Sequence, residues 1–349
     1  MVTNDAPIPV PVTLLRPPTD DLLDVVGIGS PLVDVICRID DATLDRLGLV
    51  KGSMELIALD HAEAIYASMG SSIEVSGGSA ANTVAGVAAL GGKAGFIGKV
   101  ADDAMGDVFT HDITASGVDF EAAIVPADAA GTGRCLVMVT DDAERTMATH
   151  LGVANTFAPG DVDGRLLSRT KVTYLEGYLF DLPPAKEAMR QAIEATHAAD
   201  GSVALTLSDS FCVDRHRSDF LSLFDGDLDL VFANHDEIIA LFAAKTLDAA
   251  LDALEETGVL GAITLGAEGS VIVTPAGRIA VPAAPVASVV DTNGAGDLFA
   301  AGFLFGITNG LDPEASARLG GLCAAEVISH LGARPQDDLR RLALEAGLL

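Results

Sequence analysis

Positive charge is scarce in this chain. Lysine and arginine total 21 against 50 aspartates and glutamates, a net charge of −29 over 349 residues. A surface this acidic repels phosphate backbones and anionic lipid, so neither nucleic acid nor a membrane is an expected partner. Small anionic ligands stay open, because backbone dipoles act locally against the net field. Cysteine is scarce as well. Cys37, Cys135, Cys212 and Cys323 form no Cys-x-x-Cys pair, which argues against a zinc knuckle or a disulfide scaffold and fits a reducing cytosol. Mean hydropathy is +0.39, yet the longest uncharged run, 75–92, holds Ser76, Ser79, Asn82 and Thr83 between paired glycines. That is a poor bilayer span. The N-terminus lacks a basic start followed by an apolar run, so no signal peptide is expected and the chain reads as cytoplasmic.

Several common motifs are missing too. The turn 27–32, GIGSPL, begins like G-x-G-x-x-G but has Leu32 at the third glycine. Around Gly98 and Lys99 a P-loop fails at both ends, with Lys93 and Val100 in the diagnostic positions. No G-x-S-x-G occurs, which disfavours an α/β-hydrolase. The seven histidines have no metal-ligand spacing.

What is present is alternation. Residues 1–21 form a proline-rich tail with Pro7, Pro9, Pro11, Pro17 and Pro18. The body, 22–349, opens on a buried-strand pattern at 22–29. Similar runs follow at 94–100, 134–140, 171–178, 202–208, 229–234 and 261–266. Helical stretches at 79–91, 183–199, 235–245 and 247–258 lie between several of them, and nearly everything after Asp297 reads as helix. Strands alternating with helices predict an α/β fold with a mainly parallel sheet and helices on both faces. Two segments, 34–59 and 129–152, read instead as short strands with turns, a small β appendage built from two insertions.

The strongest chemical signal is DTNGAGD, 291–297, running straight into the apolar helix 298–307. Gly294, Ala295 and Gly296 let backbone amides converge at a helix start, where the dipole favours an anion. Asp297 beside that hole is placed to accept a proton from a hydroxyl while the amides hold a phosphoryl group. The plainer reading is a turn and helix cap. In SGGSAANT, 76–83, Gly77 and Gly78 permit close backbone approach and Asn82 lies one turn into a helix; an ordinary glycine-rich helix entry explains it equally well. Asp34, just past the first strand, is suited to two hydroxyls of a polyol, or is a solvated loop residue. Asn234 and Glu237 either order a hydrated Mg²⁺ or form a simple capping box. Segment 264–269, TLGAEG, is a strand and glycine turn.

Together these motifs, with the run 324–335 (AAEVISHLGARP), resemble the ribokinase-like (PfkB) carbohydrate and nucleoside kinases over nearly all of residues 22–340. The resemblance implies a three-layer α/β/α sandwich with a β lid, ATP as phosphoryl donor and Mg²⁺ as cofactor. It implies Asp297 as base, with Gly294, Ala295 and Gly296 forming the anion hole. Asp34, Gly78 and Asn82 would hold substrate hydroxyls. Asn234, Thr264, Gly266 and Gly269 would line the nucleotide site, with Ala325 to His330 near the adenine. Glu237 would order Mg²⁺ through water, and Asp291 would ligate a monovalent cation, K⁺.

Within the family the motifs are closest to adenosine kinases, on GSPLVD (29–34), LDRLGLVKGSM (44–54), TGRCLVMVT (132–140) and Asn293. Ser30 stands in the substrate region where adenosine kinases often have Asn, and Ala101 replaces a usual glycine. Leu136, Met138 and Tyr178 are candidates to line an apolar slot for a base, with plain core packing the competing reading. Arg134 and Arg145, projecting from the lid, suit a polar or anionic substrate group. The expected reaction is phosphorylation of a primary hydroxyl on a small molecule. Adenosine comes first, a sugar or sugar acid (ribose, fructose, 2-keto-3-deoxygluconate) second, and a non-catalytic ligand-binding protein of the same fold third. A monomer or homodimer is expected.

Overall fold

Apolar runs that stay buried on both faces build the centre of the molecule. The computed structural model describes residues 21–126, 130–142 and 144–349; the expected tail, apart from Asp21, and positions 129 and 143 of the second lid segment lie outside them. The first strand, β1 (Leu23–Ile28), is buried throughout. The chain then leaves the core through β2 (Leu32–Arg38), α1 (Asp41–Leu47), β3 (Met54–Leu56), α2 (Leu59–Ser68) and β4 (Ser72–Gly77). It returns through α3 (Ser79–Ala89) to β5 (Ala94–Ile97), β6 (Lys99–Ala101), α4 (Ala104–Ala115), β7 (Val118–Phe120) and β8 (Ala123–Val125). A second excursion is β9 (Gly133–Val139) and β10 (Arg145–His150).

From there strands and helices alternate: α5 (Gly164–Leu167), β11 (Thr170–Glu176), α6 (Pro183–Ala198), β12 (Ser202–Thr206), α7 (Ser210–Leu223), β13 (Leu230–Asn234), α8 (His235–Leu241), α9 (Leu247–Thr257), β14 (Leu260–Thr264), β15 (Ser270–Thr274) and β16 (Gly277–Val281). Three helices follow: α10 (Ala295–Thr308), α11 (Pro313–Val327) and α12 (Leu339–Glu345).

The nine-stranded sheet has the order β16-β15-β14-β13-β12-β11-β1-β5-β7. It is parallel from β14 to β7, with β15 and β16 antiparallel at one edge. A parallel sheet needs cover on both sides. One apolar core joins it to α3, α10, α11 and α12, and a second to α5 through α9. This is the three-layer sandwich that the resemblance implied. Strand order turns between β11 and β1, where a doubly wound sheet opens a crevice at its carboxyl ends.

The smaller sheet, β3-β10-β9-β2-β4, stands over that crevice. It draws on more chain than the two expected segments. Strand β4 joins it antiparallel to β2, and α1 and α2 lie within the first excursion. β4 escapes a pattern search because its residues SIEVSG mix charge and hydroxyls into the alternation. All four cysteines are buried and free of disulfides. No helix among the described residues is long and apolar enough to cross a membrane.

Candidate active site

The chain passes between the two sheets with almost no slack. Three residues, 29–31, link β1 to β2, and Gly78 alone separates β4 from α3. Gly78 has φ +95°, and a Cβ there would lie 2.3 Å from the Ser30 carbonyl oxygen. Only glycine meets both demands, a left-handed backbone and that close approach. Ser30 is buried, and its N–H points to Glu176 Oε1 at 3.3 Å.

Asp297 lies in the first turn of α10, whose N-cap Gly294 has φ +79°. Its carboxylate is held from α3: Ser79 Oγ donates to Oδ1 at 2.6 Å and Asn82 Nδ2 donates to Oδ2 at 3.0 Å. Burial raises the Asp297 pKa above the ordinary value, and the Ser79, Asn82 and Arg334 groups pull against that rise. Gly294 presses on Ala333, whose Cα a Cβ would meet at 2.8 Å. The loop that leads into α10 is thereby held close against segment 332–334.

Asp34 comes down from β2 and is 7% exposed. Burial pushes its pKa up to about 7, helped by Asp297 and opposed chiefly by Arg334. Glu176, at the end of β11, is also buried and also pushed up to about 7 by desolvation; its Oε2 accepts the Ala80 N–H at 3.0 Å and so caps α3. Asp34, Gly78, Asn82, Ser30 and Asp297 therefore surround one crevice. Pattern reading had missed three further members. Ser79 reads as a routine helix start, and Glu176 closes an apolar strand. Arg334 lies 252 positions from Asn82, whose Oδ1 its Nε reaches at 2.9 Å.

Three of the expected substrate contacts face the other way. Strand parity decides it: Asp34 pairs across β2–β9 with Cys135, and Ile36 with Val137. The side of the small sheet that carries Asp34 thus carries Cys135, Val137 and, from β10, Arg145 and Met147. Leu136 and Met138 point to the opposite side and sit fully buried in the core. Arg134 is on that side too, 6.0 Å from the Tyr66 ring centroid on α2. Tyr178 follows β11, partly buried against the second core, with its pKa raised by burial and by Asp209.

Asp291 is committed within the protein. Its Oδ1 accepts the Asn293 N–H at 2.9 Å, its Oδ2 accepts the Gly332 N–H at 2.8 Å, and the Arg145 guanidinium forms an ion pair with it at 2.5 Å. The carboxylate expected to ligate K⁺ is thus paired with a side-chain cation. Glu237 is committed as well. It accepts from Asn234 N at 2.9 Å and Asn234 Nδ2 at 2.7 Å, a complete capping box, with burial raising its pKa to about 7. Asn234 and Thr264 end adjacent parallel strands, and Gly266 and Gly269, both at positive φ, make the turn beyond. Ala325 rides on α11, while His330 Nε2 is turned to Glu326 Oε1 at 3.0 Å.

A doubly wound sandwich, a helix N-terminus with a carboxylate in its first turn and an acidic residue lowered from a covering sheet form an arrangement suited to phosphoryl transfer. The family model for pfkB family carbohydrate kinases matches residues 49–339, and the chain belongs to that family and is a kinase. An adenosine kinase from Sinorhizobium meliloti superposes with a TM-score of 0.87, at 48% identity over 93% of this chain and 99% of that one. A probable sugar kinase from Rhizobium etli CFN 42 gives 0.88, at 44% identity over 94% and 100%. The adenosine kinase of Saccharomyces cerevisiae is 29% identical over 88% of this chain and 95% of its own.

Proposed function

We propose that this kinase transfers the γ-phosphoryl group of ATP to the primary hydroxyl of a ribonucleoside, adenosine first. The observation that carries the reading is Asp297, oriented by Ser79 and Asn82 beside the Gly294–Gly296 amides and across the crevice from Asp34. Asp297 takes the proton as the acceptor oxygen attacks the γ-phosphorus, and the bond to the β–γ bridging oxygen breaks to release ADP. Charge gathers on three phosphoryl oxygens, and this chain meets it with helix-terminal amides in place of a P-loop lysine. Mg²⁺ carried on the nucleotide phosphates would supply the remaining neutralisation.

Asp34 suits a ribose diol, its two oxygens accepting two hydroxyls. The apolar strip formed by Ile36, Cys135, Val137 and Met147 beside it suits the flat face of a base. The likeness to the Sinorhizobium adenosine kinase supports the same choice. Arg145 on that face, and the likeness to the Rhizobium sugar kinase, support a sugar or sugar acid as the second reading. The small sheet acts as a lid, closing on the acceptor to exclude water.

Release of ADP from a panel of adenosine, other nucleosides, ribose, fructose and 2-keto-3-deoxygluconate tests the assignment. Adenosine should lead; strong turnover of a free sugar with none on adenosine overturns the substrate and leaves the kinase. Asp297→Asn should lower kcat by ~10²–10⁴-fold with substrate KM little changed, and wild-type kcat in that variant removes the base.

A further inference from the structure

Arg334 reaches into the crevice with two terminal nitrogens that are sealed from solvent and hydrogen-bond to nothing among the described residues, while its Nε makes one definite contact. Unlike Arg145, whose terminal nitrogens are also without hydrogen bonds but which forms an ion pair with Asp291, it has no carboxylate of the described residues in direct contact. Burial lowers its pKa to about 10, opposed by Asp34, Asp112 and Asp297. Burying a positive charge is costly, and the three carboxylates stabilise it from a distance. Its one directed bond goes to an amide that itself touches the base.

We propose that Arg334 is a positioning residue for phosphoryl transfer: by donating to Asn82 Oδ1 it fixes the orientation of the Asn82 amide, so that Nδ2 and not Oδ1 faces Asp297. A guanidinium only donates and a carboxylate only accepts, so an amide held between them has one orientation that satisfies both. The distances are 2.9 Å from Arg334 Nε to Oδ1 and 3.0 Å from Nδ2 to Asp297 Oδ2. Without the arginine only the Asp297 carboxylate orients the amide, and the flipped orientation, with Oδ1 against the base, becomes less costly. Arg334 also places positive charge near a carboxylate that must stay ionised to accept a proton.

The groups facing Asp297 divide by element. Ser79 and Asn82 on α3 donate to the carboxylate, and Thr83 donates to the Asp297 carbonyl. Asp34 from β2 adds like charge, as does Glu176 at the end of β11, where Tyr174 and Tyr178 also stand in electrostatic reach. Among the described residues, Arg334 is the cation that opposes the rise in the Asp297 pKa.

The inference rests on Asp297 as base, so Asp297→Asn is measured first. If it keeps kcat, that reading falls and takes this one with it. If it does not, Arg334→Met should lower the kcat plateau about 10-fold with acceptor KM little changed. The same variant should move the acid limb of the kcat–pH profile upward by about one pH unit, since loss of the cation favours the protonated base. Arg334→Lys should hold the limb in place. Arg334→Gln keeps a donor for Asn82 and loses the charge; it should move the limb while sparing most of the plateau, and it serves if the methionine variant does not fold. In an Asn82→Ala background, Arg334→Met should lower the plateau by less than about twofold, because the amide it orients is gone. An unmoved limb in both neutral variants, or fully additive losses in the double variant, overturns the proposal.

Discussion

Asp34 is pressed against Gly77, where an added Cβ would sit 2.6 Å from both carboxylate oxygens. Its raised pKa makes it a stability term with a defined sign. The folded protein keeps a proton that the unfolded chain releases, so the residue stabilises at low pH, and that contribution is lost as pH rises from the ordinary carboxylate value of 3.8 through about 7. Asp34→Asn should therefore raise the melting temperature of the ligand-free protein by a few degrees at pH 8 and change it little near pH 4, while kcat/KM for the acceptor falls about 10²-fold through loss of charged hydrogen bonds to the diol. Thermal melts at the two pH values and an ADP-release assay check both halves. Gly78 and Asp297 are legible in the sequence because each adjoins a glycine whose spacing has a physical meaning, and Asp34 because it follows closely on the first strand. Arg334 is not, since its contact with Asn82 spans most of the chain and no local pattern encodes it. The reversal of Leu136, Met138 and Arg134 has a smaller cause: a strand shows alternation but not which of its two faces meets the ligand.

At the scale of elements, α10 is buried from Leu298 to Thr308, as expected of a helix that is apolar all round. The apolar run made the helix itself legible. What it packs against was hidden, because the contact depends on absent side chains: Gly302 faces Gly320 of α11, and a Cβ on Gly302 would meet its backbone at 2.7 Å. The pair also bears on the chemistry, since α10 carries Asp297 at one end and the segment after α11 carries Gly332 and Arg334. Gly302→Ala should separate the helices, cost about 1–3 kcal/mol of stability and lower kcat by pulling the anion hole from the 332–334 segment. Denaturant titration and steady-state kinetics on the folded fraction test this. The βαβ succession from β11 to β14 was legible for the opposite reason, because short runs rich in apolar and β-branched residues alternate there with helical stretches of regular spacing.

Over the whole molecule, the small sheet and the sandwich are joined by an ion pair, Arg145 to Asp291, buried at 12% and 0% side-chain exposure. Arg145→Ala should loosen the sheet. The expected result is faster amide exchange in 32–38, 133–139 and 145–150, and a higher KM for the acceptor, with exchange in the nine-stranded sheet unchanged. Wild-type exchange in those three strands would remove the latch. The same variant vacates Asp291 for a small ion, so any K⁺ activation should grow in it.

Ser30 and Gly78 lie where the chain crosses between the sheets, and they touch each other there. The crossing and the acceptor site are thus built from the same few residues. On the function proposed above, a molecule seated against Ser30 and Gly78 would also set the angle at which the small sheet hangs, and Arg145 would carry that angle on to Asp291 and its loop. Linkage makes such a dependence mutual: by whatever factor the acceptor tightens the nucleotide, the nucleotide must tighten the acceptor. Neither ligand then has a single dissociation constant of its own. Each has two, one with the other ligand absent and one with it bound, and the two ratios are equal.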